Sequence, residues 1–422
     1  MPVTPGRGAL RAPLLRAPLR APHACAVIAL IVGACTGRHP APSAGALARM
    51  PWDSVLARAR GQEVIWRMWR GDPAINAYVD HWVAPRVKDR FGITLTAVAG
   101  EGPEITNQLL AEKRAGSAGR ASLLWINGQT FHNLRQEQLL FGPWASRLPN
   151  DRYLDSASAI VMRDFEQPLD GFESPWGRVE FALIYDSART PRPPRSVAEL
   201  HDWILAHPGR FTYDQGFTGT SFLKILLYAL NGGPERFEGG FHQAVYDSAS
   251  ERLWQWLDEV RPALWRSGET YPADVADLHR LFANGEVDFT MSYNQNEAAN
   301  KIRQGILPPT ARPLLLTDGM LANAHYVGIP FNAPAPAAAM VVANFLLSPE
   351  AQLEKSRPAV WADGTVLSLG RLPPEWADSF DTVQRSAHLL SPDSLARYAR
   401  AEVAPEYHQR IAADWQHRIR DR

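Results

Sequence analysis

Cysteine is scarce in this chain, and both copies lie near its start. Cys25 and Cys35 are the only two among 422 residues. Cys25 falls inside an apolar segment, residues 24–34, which we interpret below as part of a removable export signal. The remaining protein would carry one thiol, which we expect to be lipidated. This excludes an internal disulfide, a cysteine-based zinc cluster and a cysteine nucleophile.

The chain also lacks an excess of either charge and a long hydrophobic run. It contains 44 Lys and Arg against 44 Asp and Glu, so no bulk field favours nucleic acid or an anionic membrane. After residue 35 no apolar run approaches the roughly 18 residues of a membrane-spanning helix. The partner of this protein must therefore be sought in local chemistry.

The first residues are typical of an export signal. Four arginines precede the apolar segment, and small residues follow it, which is the arrangement of a cleaved signal peptide. The sequence Val-Gly-Ala-Cys at residues 32–35 resembles a bacterial lipobox, in which cleavage exposes a cysteine that carries lipid. We therefore predict a signal peptide over residues 1–34 and a lipid anchor at Cys35. The alternative is an ordinary cleaved signal in which Cys35 has no role.

The middle of the chain predicts alternating strands and helices. After a Pro, Ala and Gly-rich tether over residues 35–60, strands are predicted at 63–69, 93–98 and 122–126, each followed by an amphipathic helix. This alternation indicates βαβ units and a parallel sheet covered on both faces. The pattern restarts with strands at 178–185, 211–213 and 287–291, which predicts a second lobe. A strand at 327–331 would return to the first lobe, and a helical tail begins near residue 391.

Turns that follow predicted strands contain the candidate binding residues. Ligands in doubly wound sheets lie beyond the carboxyl ends of strands, where helix N-termini expose N–H groups. The candidates combine flat apolar surfaces or glycines with hydrogen-bonding side chains, as a site for a small polar solute requires. They are Trp69, Gly71, Asp72, Trp125, Asn127, Gly128, Asp214, Gly219, Thr220, Ser221, Tyr293, Asn294 and Glu297.

Each candidate also has a purely structural interpretation. Asp72 is equally well placed to cap a helix, and Trp69 and Trp125 to fill a core. Asn127 and Gly128 are typical of a turn. The tryptophans and the acids Asp72, Asp214 and Glu297 favour a thiamine-like cation, an organic amine or a sugar as the solute.

Motifs of the common enzyme classes are missing from the sequence. There is no GxSxG, HExxH or Walker loop, and the twelve histidines show no metal spacing, so we predict no enzyme, no metal and no cofactor. One enzymatic alternative remains, a secreted hydrolase of carbohydrate that uses Asp72, Asp214 and Glu297 as paired carboxylates. A solute sensor that works without a transporter is a further alternative.

Five segments carry a resemblance to a known family: WRGDPAIN (69–76), LLWING (123–128), YDQGFTGTSFLK (213–224), GEVDFTMSYNQNEAANKI (285–302) and VGIPFNAPAPAAAMVVANFLLSPEAQ (327–352). They resemble bacterial ABC-transporter solute-binding proteins, most closely the YnjB-like subgroup. The resemblance implies an α/β fold of the two-lobed periplasmic-binding type (type 2), with two doubly wound lobes joined by a two-strand hinge. The first lobe would comprise residues 61–184 and return within residues 324–422, which also contain the C-terminal helical tail, and the second lobe would comprise residues 185–323.

The same resemblance implies how such a protein would work. A small solute would be captured between the lobes without covalent chemistry and delivered to an ABC permease and its ATPase. The protein would be a monomer, periplasmic or on the cell surface, and anchored by lipid. We place the hinge near residues 185–189 and 323–327.

Overall fold

The computed structural model describes residues 43–384, 390 and 392–420. The predicted signal peptide and Cys35 lie outside the described residues. The strands are β1 (Glu63–Met68), β2 (Thr94–Ala99), β3 (Leu123–Ile126), β4 (Arg163–Asp164), β5 (Gln167–Pro168), β6 (Glu173–Glu180), β7 (Ala182–Asp186), β8 (Phe289–Ser292), β9 (Ala311–Leu314), β10 (Met320–Gly328) and β11 (Ala399–Ala401).

The α-helices are α1 (Ala44–Arg49), α2 (Trp52–Ala59), α3 (Pro73–Ala77), α4 (Ala84–Phe91), α5 (Gly102–Ala115), α6 (Gly128–Gln136), α7 (Ala159–Met162), α8 (Val197–Ala206), α9 (Phe217–Ala229), α10 (Gln243–Val260), α11 (Val275–Ala283), α12 (Glu297–Arg303), α13 (Pro336–Leu346), α14 (Pro349–Ser356), α15 (Pro374–Gln384), α16 (Pro392–Tyr398) and α17 (Pro405–Trp415). A π-helical segment, Tyr78–Val83, joins α3 to α4, and another, Gln416–Arg420, extends α17.

The first sheet begins with three parallel strands, as the alternating pattern predicts. β1 lies between β2 and β3, with Glu63 opposite Thr94 and Trp66 opposite Leu123. Parallel pairing requires a crossover between successive strands, and helices provide it here. The carboxyl ends of β1, β2 and β3 therefore meet at one edge of the sheet, where the candidate loops were expected.

Two longer antiparallel strands complete this sheet. β10 pairs with β3 on one side and with β6 on the other, and β11 pairs in parallel with the start of β10. The buried side chains around this sheet, such as Trp66, Trp176 and Tyr326, form the first hydrophobic core. We call the residues around this core lobe 1.

A second sheet has its own core. β7 lies between β8 and β9 and is antiparallel to both, which differs from the parallel order of a doubly wound sheet. Helices α8 to α11 surround this sheet, and side chains such as Phe211, Leu226 and Phe282 form the second core. We call the residues around it lobe 2. The fold is thus α/β with two lobes, as predicted.

The two crossing strands change lobes earlier than the predicted hinge. Phe181 separates β6 from β7 and belongs to the core of lobe 2. Its N–H donates to the carbonyl of Leu321 (2.8 Å), and along β10 the side chains return to lobe 1 by Ala324. The hinge predicted at residues 185–189 is therefore misplaced, because Tyr185 is already paired inside the second sheet.

Residues that we assigned to the tether are partly folded. Helices α1 and α2 lie within residues 44–59, and Leu47, Val55 and Ala59 are buried in the core of lobe 1. Pro51 divides this stretch into two helices, each too short to show a regular spacing of hydrophobic residues. The sequence therefore showed too little periodicity to reveal them.

The C-terminal tail packs on lobe 2. Tyr407, Ile411 and Trp415 of α17 belong to the second core. The indole N–H of Trp415 donates to the hydroxyl of Tyr213 (3.0 Å), which fastens the tail to that lobe. The tail thus crosses between lobes a third time, after β6 and β10.

The capping motif at the start of α8 is formed, whereas one short predicted strand is not. The Ser196 hydroxyl accepts a hydrogen bond from the N–H of Glu199 (3.1 Å), as the capping-box pattern predicts. The strand predicted at residues 211–213 is absent from the described structure. The carbonyl of Phe211 accepts a hydrogen bond from the N–H of Trp265, which begins a short 3-10 helix, and not from a neighbouring strand.

Candidate functional site

The loop after β1 presents an aromatic face at the edge of the first sheet. Trp69 is 37% exposed. Its ring lies against Gly71, where a Cβ atom would come within 2.3 Å of the indole. Any side chain at this position would therefore displace the ring. Trp69 is accordingly a surface residue beside the carboxyl end of β1 rather than a core residue.

Asp72 is both a helix cap and a contact between the lobes. Its Oδ1 accepts hydrogen bonds from the N–H groups of Ala74 (2.6 Å) and Ile75 (3.2 Å), so the predicted cap is confirmed. Its Oδ2 accepts a hydrogen bond from Nζ of Lys301, which belongs to α12 of lobe 2. Asp72 is 4% exposed, so this ion pair between lobes is buried.

Lys301 is held by carboxylates from both lobes. Its Nζ lies 3.4 Å from Oε1 of Glu297, one helical turn earlier on α12. The same carboxylate is 3.5 Å from Nε2 of His279, whose Nδ1 lies 2.8 Å from the hydroxyl of Thr290. Burial lowers the pKa of Lys301, but Glu297 and Asp72 outweigh burial and raise that pKa overall. We call Asp72, His279, Glu297 and Lys301 the ionic cluster.

Burial and charge also oppose each other at Glu297. Burial alone would raise the pKa of this carboxyl, but the hydrogen bond with His279 and the charge of Lys301 hold it below its usual value. Glu297 is therefore ionised at neutral pH, and Lys301 carries the opposite charge beside it.

The segment after β8 binds the backbone of lobe 1. The side-chain amides of Asn294 and Asn300 both donate to the carbonyl of Trp361 (3.2 Å each). The amide of Asn296 donates to the carbonyl of Ala362 (2.8 Å), a residue with a positive φ of 62°. Three asparagines of lobe 2 thus hold one strained turn of lobe 1. We call these contacts the asparagine clasp.

Trp125 belongs to an aromatic wall of lobe 1. Its ring centroid lies 4.9 Å from that of Trp176, 5.0 Å from that of His325 and 6.1 Å from that of Trp361. Nε2 of His325 is 3.1 Å from Oδ1 of Asp363. Trp125 is half-buried whereas Trp176 and Trp361 are buried, so Trp125 alone of these tryptophans keeps part of its ring accessible.

The loop after β3 binds a buried aspartate. The N–H of Gly128 donates to Oδ2 of Asp164 (2.5 Å) at the start of α6, while Asn127 precedes that helix without a side-chain cap. A Cβ atom at Gly128 would lie 2.6 Å from the ring of Phe165, which follows Asp164. Gly128 therefore allows the β4–β5 hairpin to pack directly on this loop, and its positive φ of 40° also favours glycine.

A second buried ion pair involves the C-terminal tail. Glu402 accepts hydrogen bonds from Nζ of Lys224 on α9 and from the hydroxyl of Tyr293. Nζ of Lys224 lies 4.2 Å from the ring centroid of Phe165 in the hairpin bound to lobe 1. Burial lowers the pKa of Lys224, although Glu402 opposes this effect. We call Phe165, Lys224, Tyr293 and Glu402 the tail cluster.

The loop before α9 is arranged differently from our expectation. The hydroxyls of Thr220 and Ser221, expected to face a solute, donate to the carbonyls of Gly216 (3.1 Å) and Phe217 (2.8 Å). Gly219 is required by packing, because a Cβ atom there would lie 1.7 Å from the carbonyl oxygen of Asp214. This part of the predicted site is built from backbone contacts.

Asp214 keeps one carboxylate oxygen free. Oδ1 accepts a hydrogen bond from the N–H of Gly216 (2.8 Å), whereas Oδ2 is buried and has no partner. Asp214 is 2% exposed. Burial raises its pKa to about 6, against the hydrogen bonds from backbone N–H groups.

The structure brings several predicted residues together at the lobe interface. Asp72 and Glu297 meet at Lys301, and Tyr293 lies in the tail cluster, with its ring centroid 5.4 Å from that of Phe217. Asn294 lies between these groups, bound to the turn that carries Trp361. Asp214 and Gly219 lie at the start of the helix that carries Lys224.

Sequence reasoning missed the two lysines and the tail. The sequence could have indicated Lys301, because a lysine four residues after Glu297 in a helical segment predicts an ion pair between the two. Glu402 had no such signal, because its partners are Lys224 and Tyr293, more than a hundred residues away. Asp164 also had no signal in a stretch without regular periodicity.

Comparison with known proteins identifies the family. Residues 82–378 match the sequence profile of the bacterial extracellular solute-binding proteins. The chain belongs to this family. It is also 39% identical to protein YnjB of Escherichia coli (strain K12) over 327 residues, which cover 76% of this chain and 84% of that relative. The predicted family, and solute binding as the function, are therefore confirmed.

Solved structures share the fold at low sequence identity. The spermidine/putrescine ABC-transporter substrate-binding protein PotD of Streptococcus pneumoniae superposes with a TM-score of 0.60 at 14% identity, covering 85% of this chain and 99% of its own. The periplasmic binding protein AfuA of Actinobacillus pleuropneumoniae, with bound fructose-6-phosphate, superposes with a TM-score of 0.60 at 13% identity, and the match covers 85% of this chain and 98% of its own. The two-lobed binding-protein fold is therefore confirmed.

The family is extracellular, which agrees with the predicted export. In the described part of the chain, no helix combines the length and the apolar character needed to cross a membrane.

Proposed function

We propose that this solute-binding protein is the receptor of an ABC importer. It captures a small polar solute between lobe 1 and lobe 2 and delivers it to a membrane permease driven by a separate ATPase. The fold that it shares with the substrate-binding protein PotD supports this assignment. We expect the protein to act as a monomer, because a single chain supplies both walls of the site.

The observation that carries this proposal is the buried ion pair between Asp72 and Lys301. The first belongs to the loop after β1 of lobe 1, and the second to α12 of lobe 2. The pair is buried between the lobes, and separating two such buried charges while either stays out of water is unfavourable, so it favours a closed arrangement of the lobes. A solute held by both lobes would favour that arrangement in the same way.

We propose that the residues predicted from the sequence line the binding site. Trp69, Trp125 and Tyr293 supply ring faces, and Asp72, Asp214 and Glu297 supply carboxylates. The remaining members of the site, Gly71, Asn127, Gly128, Gly219, Thr220, Ser221 and Asn294, shape the loops that carry them. Ring faces together with acids suit a thiamine-like cation, an organic amine or a sugar.

We propose that the site works by reversible binding and not by hydrolysis. A glycosidase needs one protonated and one ionised carboxyl group on either side of the sugar bond. Here both Asp72 and Glu297 instead contact the ammonium group of Lys301. Mass spectrometry of a glycan after incubation tests this, because a receptor returns the glycan intact.

The membrane anchor is a separate part of the proposal. Cleavage after residue 34 would leave Cys35 as a lipidated first residue, and the protein would be held at the periplasmic or cell surface. Metabolic labelling with a fatty acid should label the full chain and fail to label Cys35→Ser. Equal labelling of both would refute the anchor without affecting solute binding.

A thermal-shift screen of vitamins, amines and sugars, followed by solution scattering, tests the receptor function. A bound solute should raise the melting temperature, since it binds only the folded state, and should reduce the radius of gyration. Lys301→Met should weaken the compaction, whereas the exposed control Lys88→Met should not. Tight binding without any change in radius would contradict closure of the lobes.

A further inference from the structure

Aspartates accept backbone N–H groups at the start of three helices and just before a fourth. Asp72 caps α3, and Asp214 accepts from Gly216 before α9. Asp274 caps α11 by accepting from the N–H of Asp277 (2.9 Å), and Asp164 accepts from Gly128 at the start of α6. Helix N-termini are the usual binding sites for anions. At α3, α6 and α11 an aspartate side chain already accepts one of these N–H groups.

The lysines buried beside the interface are also neutralised within the chain. Lys224 pairs with Glu402, Lys301 with Asp72 and Glu297, and Lys355 with Asp363 (2.8 Å). An anionic solute would have to displace one of these carboxylates. A displaced carboxylate would lie near the interface without its lysine, and an unpaired buried charge strongly destabilises a folded protein. The exchange of such a carboxylate for an anionic solute is therefore unfavourable.

Asp214 is placed to receive a positive charge. Its Oδ2 is buried and without a partner. A Cβ atom at Gly216 would lie 3.0 Å from Oδ1 of Asp214 and 4.0 Å from Cα of Asp274, so the two aspartates flank the same turn. The N–H of Gln215 donates to the carbonyl of Pro272 (3.0 Å), which holds the loops of α9 and α11 together.

The acidic character of this region extends to lobe 1. Glu101 directly precedes α5. Burial is the largest cause that raises the pKa of Glu101, followed by the charges of Glu104 and of Asp274 in lobe 2. In lobe 2, Asp214 and Asp274 lie beside the same turn, and Oδ2 of Asp214 has no hydrogen-bond partner.

We propose that the solute is an organic cation, and that Asp214 supplies the carboxylate that pairs with its positively charged nitrogen. This inference rests on the proposed function, which it narrows from three solute classes to one. An ammonium group needs only one free oxygen at a time, which Oδ2 of Asp214 offers. A calcium or magnesium ion would require six or more oxygens around it.

The test uses the cationic, neutral and anionic fractions of deproteinised yeast extract, separated by ion exchange. Thermal shift is measured for the wild-type protein, Asp214→Asn and the control Asp318→Asn. Asp318 accepts the N–H of Val197 (2.8 Å) at the start of α8, so the control removes a comparable capping charge elsewhere. Active fractions are then resolved to single compounds and titrated by calorimetry.

We expect only the cationic fraction to stabilise the wild-type protein. The affinity of Asp214→Asn for the active compound should fall at least about tenfold, because a charge-assisted hydrogen bond is lost. Asp318→Asn should bind like the wild type. Asn retains the oxygen that accepts the N–H of Gly216, so the fold should survive, and an unchanged far-ultraviolet circular dichroism spectrum checks this.

Three outcomes would overturn the inference in distinguishable ways. Stabilisation by the neutral or anionic fraction alone would leave the receptor function intact but refute the cation. Equal affinity of Asp214→Asn for the cation would refute the role of Asp214. No stabilisation by any fraction would contradict the proposed function itself.

Discussion

Asp164 should make the stability of this protein depend on pH. Its carboxyl group is fully buried, and Oδ1 has no hydrogen-bond partner. The groups that face it are the N–H of Gly128, Lys224 and Glu402, and Glu173 is close enough for Asp164 to affect its pKa. Burial is the largest effect and raises the pKa of Asp164 from 3.8 to about 8, whereas the bond from Gly128 lowers it.

Whether the free energy of unfolding rises or falls with pH depends on whether the folded or the unfolded state holds the proton on Asp164. Between about pH 4 and about pH 8 the folded protein keeps the proton on Asp164 while the unfolded chain has lost it. Stability therefore falls as the pH rises through this window and levels off above it. Within this window each pH unit lowers the free energy of unfolding by about 1.4 kcal/mol, so the rise from pH 5 to pH 8 lowers it by about 4 kcal/mol.

Asp164→Asn isolates this effect. The amide oxygen can still accept the N–H of Gly128, but the side chain no longer ionises. Urea unfolding of both proteins is followed by tryptophan fluorescence from pH 5 to pH 8. Across that range the free energy of unfolding of the variant should rise by about 4 kcal/mol relative to that of the wild type. The exposed control Asp89→Asn should keep the wild-type slope. If Asp164→Asn and the wild type change in parallel with pH, the buried carboxyl is ionised and this reasoning is wrong.

Three further variants test the lobe interface and the loop before α9. Lys301→Met should lower the free energy of unfolding by about 3 kcal/mol, because it leaves Asp72 buried without its cation, and adding Asp72→Asn should restore part of the loss; equal losses in the single and double variants would argue against the pair. Asn296→Ala should cost about 1 kcal/mol and increase the radius of gyration in solution scattering, since one bond of the asparagine clasp is lost; an unchanged radius would show that the clasp does not hold the lobes. Gly219→Ala should destabilise by about 2 kcal/mol or more in thermal unfolding, because the new Cβ collides with Asp214; a neutral result would mean that the loop relaxes freely.

The elements that were predicted correctly depend on short-range patterns. The helix α3 was found from Asp72 and Pro73, because a capping oxygen and a residue with fixed φ act within one turn. The parallel order of β1, β2 and β3 followed from strands alternating with helices. Such signals lie within about 15 residues of chain, so the sequence displays them directly.

The failures have a common physical origin in long-range pairing. The strand predicted as one piece over residues 178–185 is divided at Phe181, because the chain leaves one sheet for another there. The hydroxyls of Thr220 and Ser221 donate to carbonyl groups of the preceding turn, contacts that the sequence did not predict, and their part in solute binding stays a prediction. In both cases the local residues permit either outcome, and distant partners or competing backbone acceptors decide.

The amino-acid sequence by itself determined the export signal pattern, the family, the two-lobed α/β class and the loops in which binding residues were sought. These properties rest on composition, periodicity and local motifs, which need no knowledge of distant contacts. Only the tertiary structure showed that Lys301 joins the lobes, that Glu402 brings the C-terminal tail to Lys224, and that aspartates already cap the helices beside the interface. Electrostatic pairing acts over a few ångströms in space, and the partners here are up to 229 positions apart in the chain.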